Sequence, residues 1–242
     1  ALVPPARMQQ IASAAGAVAC LTSGRHRAAA EALAPTLQTI VDLEQVLTNP
    51  SATVVVRHAL PDPKLQDVAA LVFTSGSTGT PKGVVWTNGT LLNEAYAGAE
   101  RFDFSHADRM ALVLPYSFAA GLTVLLFALL NGSSVHAFDP RTRGIRDLPE
   151  WIRSQRLTTL HLTPSLLRSL VGALAPDEQL PTLRLILLCG EPVFGADIAN
   201  LRPHVSSDCV CVNWAGASEI GTLAFCSVRA SDPLPDGPIP AG

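Results

Sequence analysis

Residues 69–83 read AALVFTSGSTGTPKG, an apolar run followed at once by a segment rich in glycine and hydroxyl side chains. The apolar run, Ala69–Phe73, predicts a buried strand. The three glycines after it let the backbone turn and come close to a ligand. Successive N–H groups and hydroxyls can then surround an anion, and Lys82 adds a positive charge. The stretch therefore predicts a loop that holds a polyphosphate at the end of a strand.

This loop does not follow the P-loop of kinases and ATPases, which requires Gly, four residues and then Gly-Lys-Ser/Thr. Counting from Gly76, the fifth residue onward is Pro81, and Lys82 is followed by Gly83. Pro81 also biases Thr80 away from the helical conformation with which a P-loop helix begins. A serine- and glycine-rich linker would explain the glycines, but neither the Pro-Lys-Gly end nor the strand before it.

The composition indicates a large buried core, because 48% of the 242 residues are hydrophobic and only 15% are charged. This length allows one or two compact lobes. The net charge of −3 gives no electrostatic reason to expect a nucleic-acid partner. The longest apolar run, Leu122–Leu130, is about half a membrane span. With no secretory leader expected, these features predict a soluble, cytoplasmic protein without a membrane partner.

Neither the cysteines nor the histidines form a recognisable metal or catalytic pattern. The five cysteines are an odd number without a C-x-x-C pair, which predicts reduced thiols. Cys209 and Cys211 have strand spacing and lie on one face, so we interpret them as core residues rather than ligands. We interpret His161, the histidine nearest a predicted functional strand end, as structural. Ser77 and Ser218 do not fit Gly-x-Ser-x-Gly, so a hydrolase nucleophile is not indicated.

Short β-rich runs alternate with helical patterns, which predicts an α/β fold of mainly parallel sheets flanked by helices. The predicted strands are Ala17–Leu21, Thr39–Leu43, Thr53–Arg57, Ala69–Phe73, Val84–Thr87, Arg109–Leu114, Ser134–Phe138, Thr158–Leu162, Leu183–Cys189, Cys209–Asn213 and Thr222–Cys226. The predicted helices are Ala6–Ala15, His26–Leu33, Thr90–Arg101, Ala119–Leu130, Leu148–Gln155, Pro164–Leu174 and Phe194–Leu201. A subdomain boundary is possible near Gly144–Asp147.

The loop Thr74–Gly83 resembles, residue for residue, the signature T-S-G-S/T-T-G-x-P-K-G of the adenylate-forming (AMP-binding) superfamily. That family includes nonribosomal peptide synthetase adenylation domains, acyl- and aryl-CoA synthetases, and luciferases. Three later segments resemble further motifs in the family's order. Leu114–Gly121 resembles the aromatic-rich motif of the acyl pocket, Leu183–Pro192 the L-R-x-apolar-x-G-G-E strand and turn, and Asn213–Glu219 the motif N-x-Y-G-x-T-E. The likeness covers nearly the whole chain and implies part of the family's large N-terminal domain.

The resemblance implies ATP-dependent activation of a carboxylic acid as an acyl-adenylate, with release of pyrophosphate. The acyl group would then pass to a carrier-protein phosphopantetheine or to coenzyme A. By the same resemblance, Lys82, Ser218 and Glu219 would be catalytic, and Glu219 would ligate Mg²⁺. The implied ATP-binding residues are Thr74, Ser75, Gly76, Ser77, Thr78, Gly79, Lys82, Gly190, Glu191, Trp214, Ala215, Gly216 and Ser218. The implied substrate pocket comprises Phe118, Ala119, Ala120, Thr123, Cys189, Trp214 and Thr222.

Three residues depart from the family pattern. Ala215 stands where the family usually has an adenine-stacking tyrosine, and Trp214 beside it is expected to point to the other side of the strand. Ala119 stands where amino-acid-activating domains have an aspartate for the α-ammonium. An unpaired ammonium in an apolar pocket costs several kcal/mol, so an α-amino acid is disfavoured relative to an aryl, fatty or other acid without that amine. Phe118 replaces a histidine that is frequent in acyl-CoA synthetases.

Two interpretations of function stay open. In the family, a ribose-binding aspartate, a hinge and a small C-terminal domain follow the equivalent of Gly242, so we expect residues 1–242 to be an adenylation-domain core without the small domain. The first interpretation is an adenylating core from a nonribosomal peptide synthetase or a related carrier-loading ligase. The second is a catalytically silent nucleotide-binding or interaction fragment. A phosphotransferase, which would form ADP rather than AMP, is a distant third.

Overall fold

The computed structural model describes residues 3–33, 37–48, 62–75 and 81–241. The chain divides into two compact units, Ala1–Val85 and Trp86–Gly242. The segment Gly144–Asp147, where a boundary was considered possible, lies inside the second unit. The predicted strand Thr53–Arg57 and residues 76–80 of the glycine-rich loop lie outside the described residues.

The first unit contains short helices and strands that belong to two small two-stranded sheets. Its elements are α1 (Pro5–Ala14), β1 (Ala19–Thr22), α2 (Arg27–Glu31), β2 (Thr39–Asp42), α3 (Leu43–Thr48) and β3 (Val68–Ser75). Strands β1 and β2 pair in parallel. Strand β3 pairs with β4 (Pro81–Thr87) in a separate two-stranded sheet, so the segment before the glycine-rich loop is a strand, as predicted.

The second unit is built on one six-stranded sheet. Its elements are α4 (Asn88–Phe102), β5 (Arg109–Leu112), α5 (Ala119–Leu130), β6 (Ser134–Ala137), α6 (Pro140–Arg143), α7 (Leu148–Ser154), β7 (Thr159–Leu162), α8 (Pro164–Val171), β8 (Leu185–Leu188), α9 (Gly195–Leu201), β9 (Val210–Ala217) and β10 (Gly221–Arg229). The strand order is β6-β5-β7-β8-β9-β10, and every pairing except that of β9 with β10 is parallel. The mainly parallel α/β prediction is therefore confirmed.

The order of the strands shows that this sheet is doubly wound. The chain passes from β5 to β6 on one side, returns past β5 to β7, and continues outward through β8 and β9. In such sheets ligands bind beyond the carboxyl ends of the strands, near the point where the direction of winding reverses. A ligand site is therefore expected at the carboxyl ends of β5, β7, β8 and β9.

Alternating side chains of the parallel strands separate two hydrophobic cores. In β8, Ile186 and Leu188 pack in the core that includes residues of α7, α8 and α9. Leu185 and Leu187 pack in the opposite core, together with Phe127 of α5. This period of two is the pattern of a sheet covered on both faces. The face covered by α4 and α5 carries the candidate site.

Local capping sets where the principal helices begin. Thr87 caps α4 by accepting a hydrogen bond from the backbone N–H of Thr90 (3.2 Å). The helix therefore begins at Asn88, two residues before its predicted start. Thr163 caps α8 in the same way, with Pro164 at its first position. No helix in the described part of the chain is long and apolar enough to cross a membrane.

Several element bounds differ from those predicted. Helices α3 and α6 were not predicted, and α8 ends three residues early, at Val171. Strand β9 was predicted to end at Asn213 but runs on to Ala217, because pairing with β10 continues across Trp214, Ala215 and Gly216. This extension brings part of the N-x-Y-G-x-T-E-like segment into the sheet, and only residues 218–220 remain as the turn.

Candidate functional site

A cavity of about 270 Å³ lies in the second unit, bordered by α4, the start of α5, the ends of β8 and β9, and the turn that leads into β10. Helix α5 contributes Ala119, Ala120 and Thr123 to its wall, and Phe118, the residue just before the helix, also lines it. Ala119 and Thr123 are four residues apart and so share one face of the helix. The four residues predicted for the pocket from this segment thus lie around one cavity.

The start of α5 is held by a close backbone approach at Gly121. A Cβ at this position would overlap the Pro115 carbonyl oxygen, so residues 114–118 can fold back against the first helical turn only because residue 121 is glycine. The Phe118 N–H donates to that same carbonyl oxygen (3.1 Å). Phe118 itself is exposed, at the rim of the cavity.

Strands β8 and β9 form the facing wall. Cys189 and Gly190 follow β8, and Trp214, Gly216 and Ala217 belong to β9. Trp214 is buried, with its ring centroid 6.1 Å from that of Phe127. Ala215 belongs to the other face of the strand, as its position next to Trp214 requires. The tryptophan therefore lies on the side of the strand that faces the cavity.

Glu94 of α4 also lines the cavity and connects the helix to strand β10. Its carboxylate accepts hydrogen bonds from the Thr222 N–H (3.2 Å) and the Thr222 hydroxyl (3.0 Å). The Thr222 hydroxyl in turn accepts one from Trp214 Nε1 (2.9 Å). Gly221 has a positive φ of 67°, and a Cβ there would overlap the Glu94 carboxylate. Thr222, predicted for the pocket, thus lies behind Glu94 rather than in the wall itself.

Trp86, the first residue of the second unit, fixes the turn after β9. Its side chain is buried and lines the cavity, and Nε1 donates to the Ser218 carbonyl oxygen (2.7 Å). The sequence predicted Trp86 only as part of a strand and did not single out Glu94. Both contacts join residues about 130 positions apart, which no local spacing reveals.

The turn itself carries Ser218 and Glu219. Ser218 is half-buried and lines the cavity, whereas Glu219 is exposed and makes no hydrogen bond or ion pair with another described residue. A single available carboxylate suits Mg²⁺, which is usually held by one or two carboxylates together with phosphate oxygens and water. Within the described residues, no three His, Cys, Asp or Glu side chains form a complete metal site.

Gly190 and Glu191, predicted to bind ATP, occupy different surroundings. Gly190 lines the cavity and has a positive φ of 84°. The Glu191 carboxylate instead accepts hydrogen bonds from the Ser165 N–H (3.0 Å) and hydroxyl (2.5 Å) at the start of α8. The structure therefore brings Gly190 to the cavity, while the Glu191 side chain is engaged by a helix N-terminus.

The residues predicted to hold polyphosphate belong to the first unit. Thr74 is half-buried at the end of β3, and Lys82 is exposed near the start of β4. Ser75 ends β3. Gly76, Ser77, Thr78 and Gly79 lie outside the described residues, so the roles of this loop stay predictions.

Burial keeps two titratable groups near the cavity neutral. Burial, with a smaller contribution from the Glu191 charge, raises the pKa of the Cys189 thiol to about 11. Burial lowers the pKa of His161 to about 3, and its ring nitrogens have no hydrogen-bond partner among the described residues. His161 packs beside Phe104, Phe127 and Trp214, which fits its interpretation as a structural residue. Cys209 and Cys211 are buried in the core of α7, α8 and α9.

Comparison with known proteins gives a consistent set of similarities. The family model described as "AMP-binding enzyme" matches residues 1–241. The chain is 31% identical over 243 residues to malformin synthetase mlfA of Aspergillus sclerotiicarbonarius, with 99% of this chain and 4% of that protein covered. It is 33% identical over 179 residues to "L-proline--[L-prolyl-carrier protein] ligase" of Streptomyces coelicolor, with 73% of this chain and 34% of that protein covered. The chain therefore spans only a minor part of these relatives.

Solved structures show the same fold. The nonribosomal peptide synthetase FmoA3 superposes with a TM-score of 0.79 at 25% identity, covering 99% of this chain and 25% of that one. The O-succinylbenzoate coenzyme A synthetase of Bacillus subtilis, in complex with ATP and magnesium ion, superposes with a TM-score of 0.75 at 21% identity. That match covers 93% of this chain and 45% of the synthetase.

Proposed function

Because the chain belongs to the AMP-binding enzyme family, we propose that it activates a carboxylic acid by joining it to AMP. An oxygen of the acid forms a bond to the α-phosphorus of ATP, the bond from that phosphorus to the β-phosphate bridging oxygen breaks, and pyrophosphate leaves. The observation that supports this function best is the cavity of about 270 Å³ whose wall includes Ser218, beside the exposed Glu219. The acid would occupy the cavity, and the phosphate chemistry would take place at this turn.

The described residues of the turn suit the charge that such a reaction must handle. Ser218 can donate a hydrogen bond to an α-phosphate oxygen, and a hydrogen bond to a charged oxygen contributes about 1.5–3 kcal/mol. Glu219 is the residue that would hold Mg²⁺, which when bound supplies positive charge to the polyphosphate. Trp86 holds the backbone of this turn by donating a hydrogen bond to the Ser218 carbonyl oxygen. From the resemblance, the loop Thr74–Gly83 with Lys82 would hold the β- and γ-phosphates.

We further propose that the acyl group passes to a thiol of carrier-protein phosphopantetheine, with coenzyme A as the alternative acceptor. One relative is named as a ligase of a carrier protein and another similar structure as a coenzyme A synthetase. The carrier is favoured because several relatives are named as peptide synthetases. An enzyme that draws on ATP and these thiols would act in the cytoplasm.

The test is acid-dependent exchange of labelled pyrophosphate into ATP. We expect exchange with at least one member of a panel of aryl, fatty and amino acids. Replacement Glu219→Gln should lower exchange about tenfold or more and raise the Mg²⁺ requirement, because even outer-sphere partners of a metal contribute that much. Glu100→Gln, on the exposed side of α4, is the matched control and should leave exchange unchanged. Nucleotide binding without exchange would favour a silent nucleotide-binding protein, and formation of ADP would indicate phosphotransfer instead.

A further inference from the structure

The cavity contains one carboxylate and no cationic side chain among the described residues that line it. Glu94 is that carboxylate, and it forms no ion pair with a described residue. It is only partly exposed, and the rest of the wall is aromatic, small, or bears a neutral hydroxyl or thiol group. An ionised carboxylate that is partly removed from water is costly unless a partner compensates it. Among the described residues that line the cavity, none supplies a positive charge for the Glu94 carboxylate.

The Glu94 side chain is held in a defined position with capacity to bind more. Thr222 donates to both carboxylate oxygens, at 3.2 and 3.0 Å. A carboxylate offers about four lone-pair sites, so about two acceptor sites remain after these bonds. Gly221 leaves the space that the carboxylate occupies, since any side chain at 221 would overlap it. The anion is positioned by the protein and remains able to accept hydrogen bonds from a ligand.

Three aromatic side chains line the same cavity as this carboxylate, namely Trp86, Phe118 and Trp214. Aromatic ring faces attract cations, tryptophan most strongly. The Cys189 thiol, whose pKa burial raises to about 11, adds no charge at neutral pH. An anion among aromatic rings is a chemical environment that favours a protonated amine over a neutral group of the same size.

We propose that Glu94 is the counter-ion for a protonated amine on the acid that this cavity binds. The inference rests on the proposed function and names the class of its substrate, a small carboxylic acid that carries an ammonium group. Ala119 removes the carboxylate that amino-acid-activating relatives place on α5, which is why the sequence disfavoured an α-amino acid. Glu94 supplies a carboxylate from α4 instead, so the amine it pairs with need not be the α-amine. The volume of about 270 Å³ suits a single small acid, aliphatic or aromatic.

Binding of matched acids without ATP tests this proposal independently of catalysis. Trp86 and Trp214 line the cavity, so intrinsic tryptophan fluorescence should report occupancy. Each pair of probes differs only by an ammonium group in place of methyl: γ-aminobutyrate with valerate, β-aminobutyrate with isovalerate, and β-phenylalanine and phenylalanine each with the corresponding methyl analogue. We expect the amine of at least one pair to bind about 10- to 100-fold more tightly, the range of a charge-assisted hydrogen bond that is partly shielded from water.

Variants separate recognition of the amine from mere support of the fold. Glu94→Gln keeps the shape but removes the charge, and it should reduce the preference to near unity. Glu94→Asp keeps the charge and should retain part of the preference. Thr222→Val removes one of the two hydrogen bonds that position the Glu94 carboxylate, so it should weaken binding of the amine more than binding of its methyl analogue. Glu100→Gln, exposed on the same helix, should change nothing.

The proposal is wrong if no acid of either kind binds at millimolar concentrations, if methyl analogues bind as well as the amines in every pair, or if Glu94→Gln keeps the preference. Pyrophosphate exchange measured in parallel separates this result from the proposed function. Exchange with neutral acids, unaffected at Glu94, would leave the function standing and overturn the role of Glu94. Amine-selective binding without any exchange would support the role of Glu94 and contradict the proposed function.

Discussion

The substitution Asp108→Asn should destabilise the second unit by breaking a charged network at the amino ends of three parallel strands. Asp108 precedes β5 and is 3% exposed. It accepts two hydrogen bonds from Arg184 (2.8 and 2.7 Å), one from the Thr158 hydroxyl (2.7 Å) and one from the Ser105 N–H (3.0 Å). Two hydrogen bonds from a cation to a buried carboxylate contribute about 1.5–3 kcal/mol each. Arg184 is 38% exposed and can regain water, so the net loss should be about 2–4 kcal/mol.

Urea unfolding followed by tryptophan fluorescence measures this loss, because Trp86, Trp151 and Trp214 all belong to the second unit. The matched control is Asp139→Asn, since Asp139 also binds its arginine through two hydrogen bonds but both partners are well exposed. Exposed ion pairs contribute little, so this control should change the free energy of unfolding much less. If Asp108→Asn is no more destabilising than Asp139→Asn, the buried network around Asp108 does not stabilise the second unit as proposed.

The pH dependence gives a second check on the same carboxylate. Burial alone would raise the pKa of Asp108, but hydrogen bonds from Arg184, Thr158 and Ser105 together outweigh it and hold the pKa below its ordinary value. Since the folded pKa lies below the unfolded one, the stabilisation is complete above the unfolded value of about 3.9 and is lost as the pH falls through the folded value. The difference between wild type and Asp108→Asn should thus be constant near neutral pH and shrink in acid.

Three further perturbations test the packing and chemistry of the site. Gly98→Ala should lower the free energy of unfolding by about 1–3 kcal/mol, as measured by thermal unfolding, because a Cβ there would lie 2.5 Å from the Phe127 ring. The control Gly237→Ala, where a Cβ would meet no atom within 4 Å, should lower it much less. Trp86→Phe loses the hydrogen bond to the Ser218 carbonyl oxygen, so it should slow pyrophosphate exchange more than it weakens acid binding. Equal effects on exchange and on binding would contradict a role of Trp86 in orienting the turn. The rate of alkylation of Cys189, with Cys189→Ser as the background, should rise with pH toward the thiol pKa of about 11. A bound acid should protect the thiol. A rate that levels off near neutral pH would show that burial does not raise the pKa as described.

Local sequence patterns predicted much of the fold because they reflect local physics. The run Ala119–Leu130 became α5 with those bounds. Of the two neighbours that the strand pattern was expected to separate, Trp214 lines the cavity and Ala215 does not. Helices α3 and α6 were missed because they are too short to show a helical period. Their capping signals are nonetheless present: Asp42 Oδ1 accepts from the Glu44 N–H (3.0 Å), and Asp139 precedes Pro140 in the same way.

The pocket was only partly predictable, for a different reason. Phe118, Ala119, Ala120 and Thr123 follow from one helical segment with a recognisable motif. Glu94 and Trp86 reach the cavity through hydrogen bonds that span 128 and 132 residues. Such contacts depend on how α4 packs beside β9 and β10, which no spacing within either segment encodes. Under our proposal, Glu94 supplies from α4 a carboxylate that α5 lacks at Ala119. The expectation that an α-amino acid is disfavoured stays a prediction, because the amine that Glu94 pairs with need not be the α-amine.

The proposed reaction requires that an oxygen of the bound acid attacks the α-phosphorus of ATP. The most direct measurement uses an acid labelled with oxygen-18 in its carboxylate, hydroxylamine as the accepting nucleophile, and mass spectrometry of the nucleotide product. We expect one heavy oxygen in the AMP that is released, together with the hydroxamate of the acid. Unlabelled AMP, or ADP in its place, would contradict it.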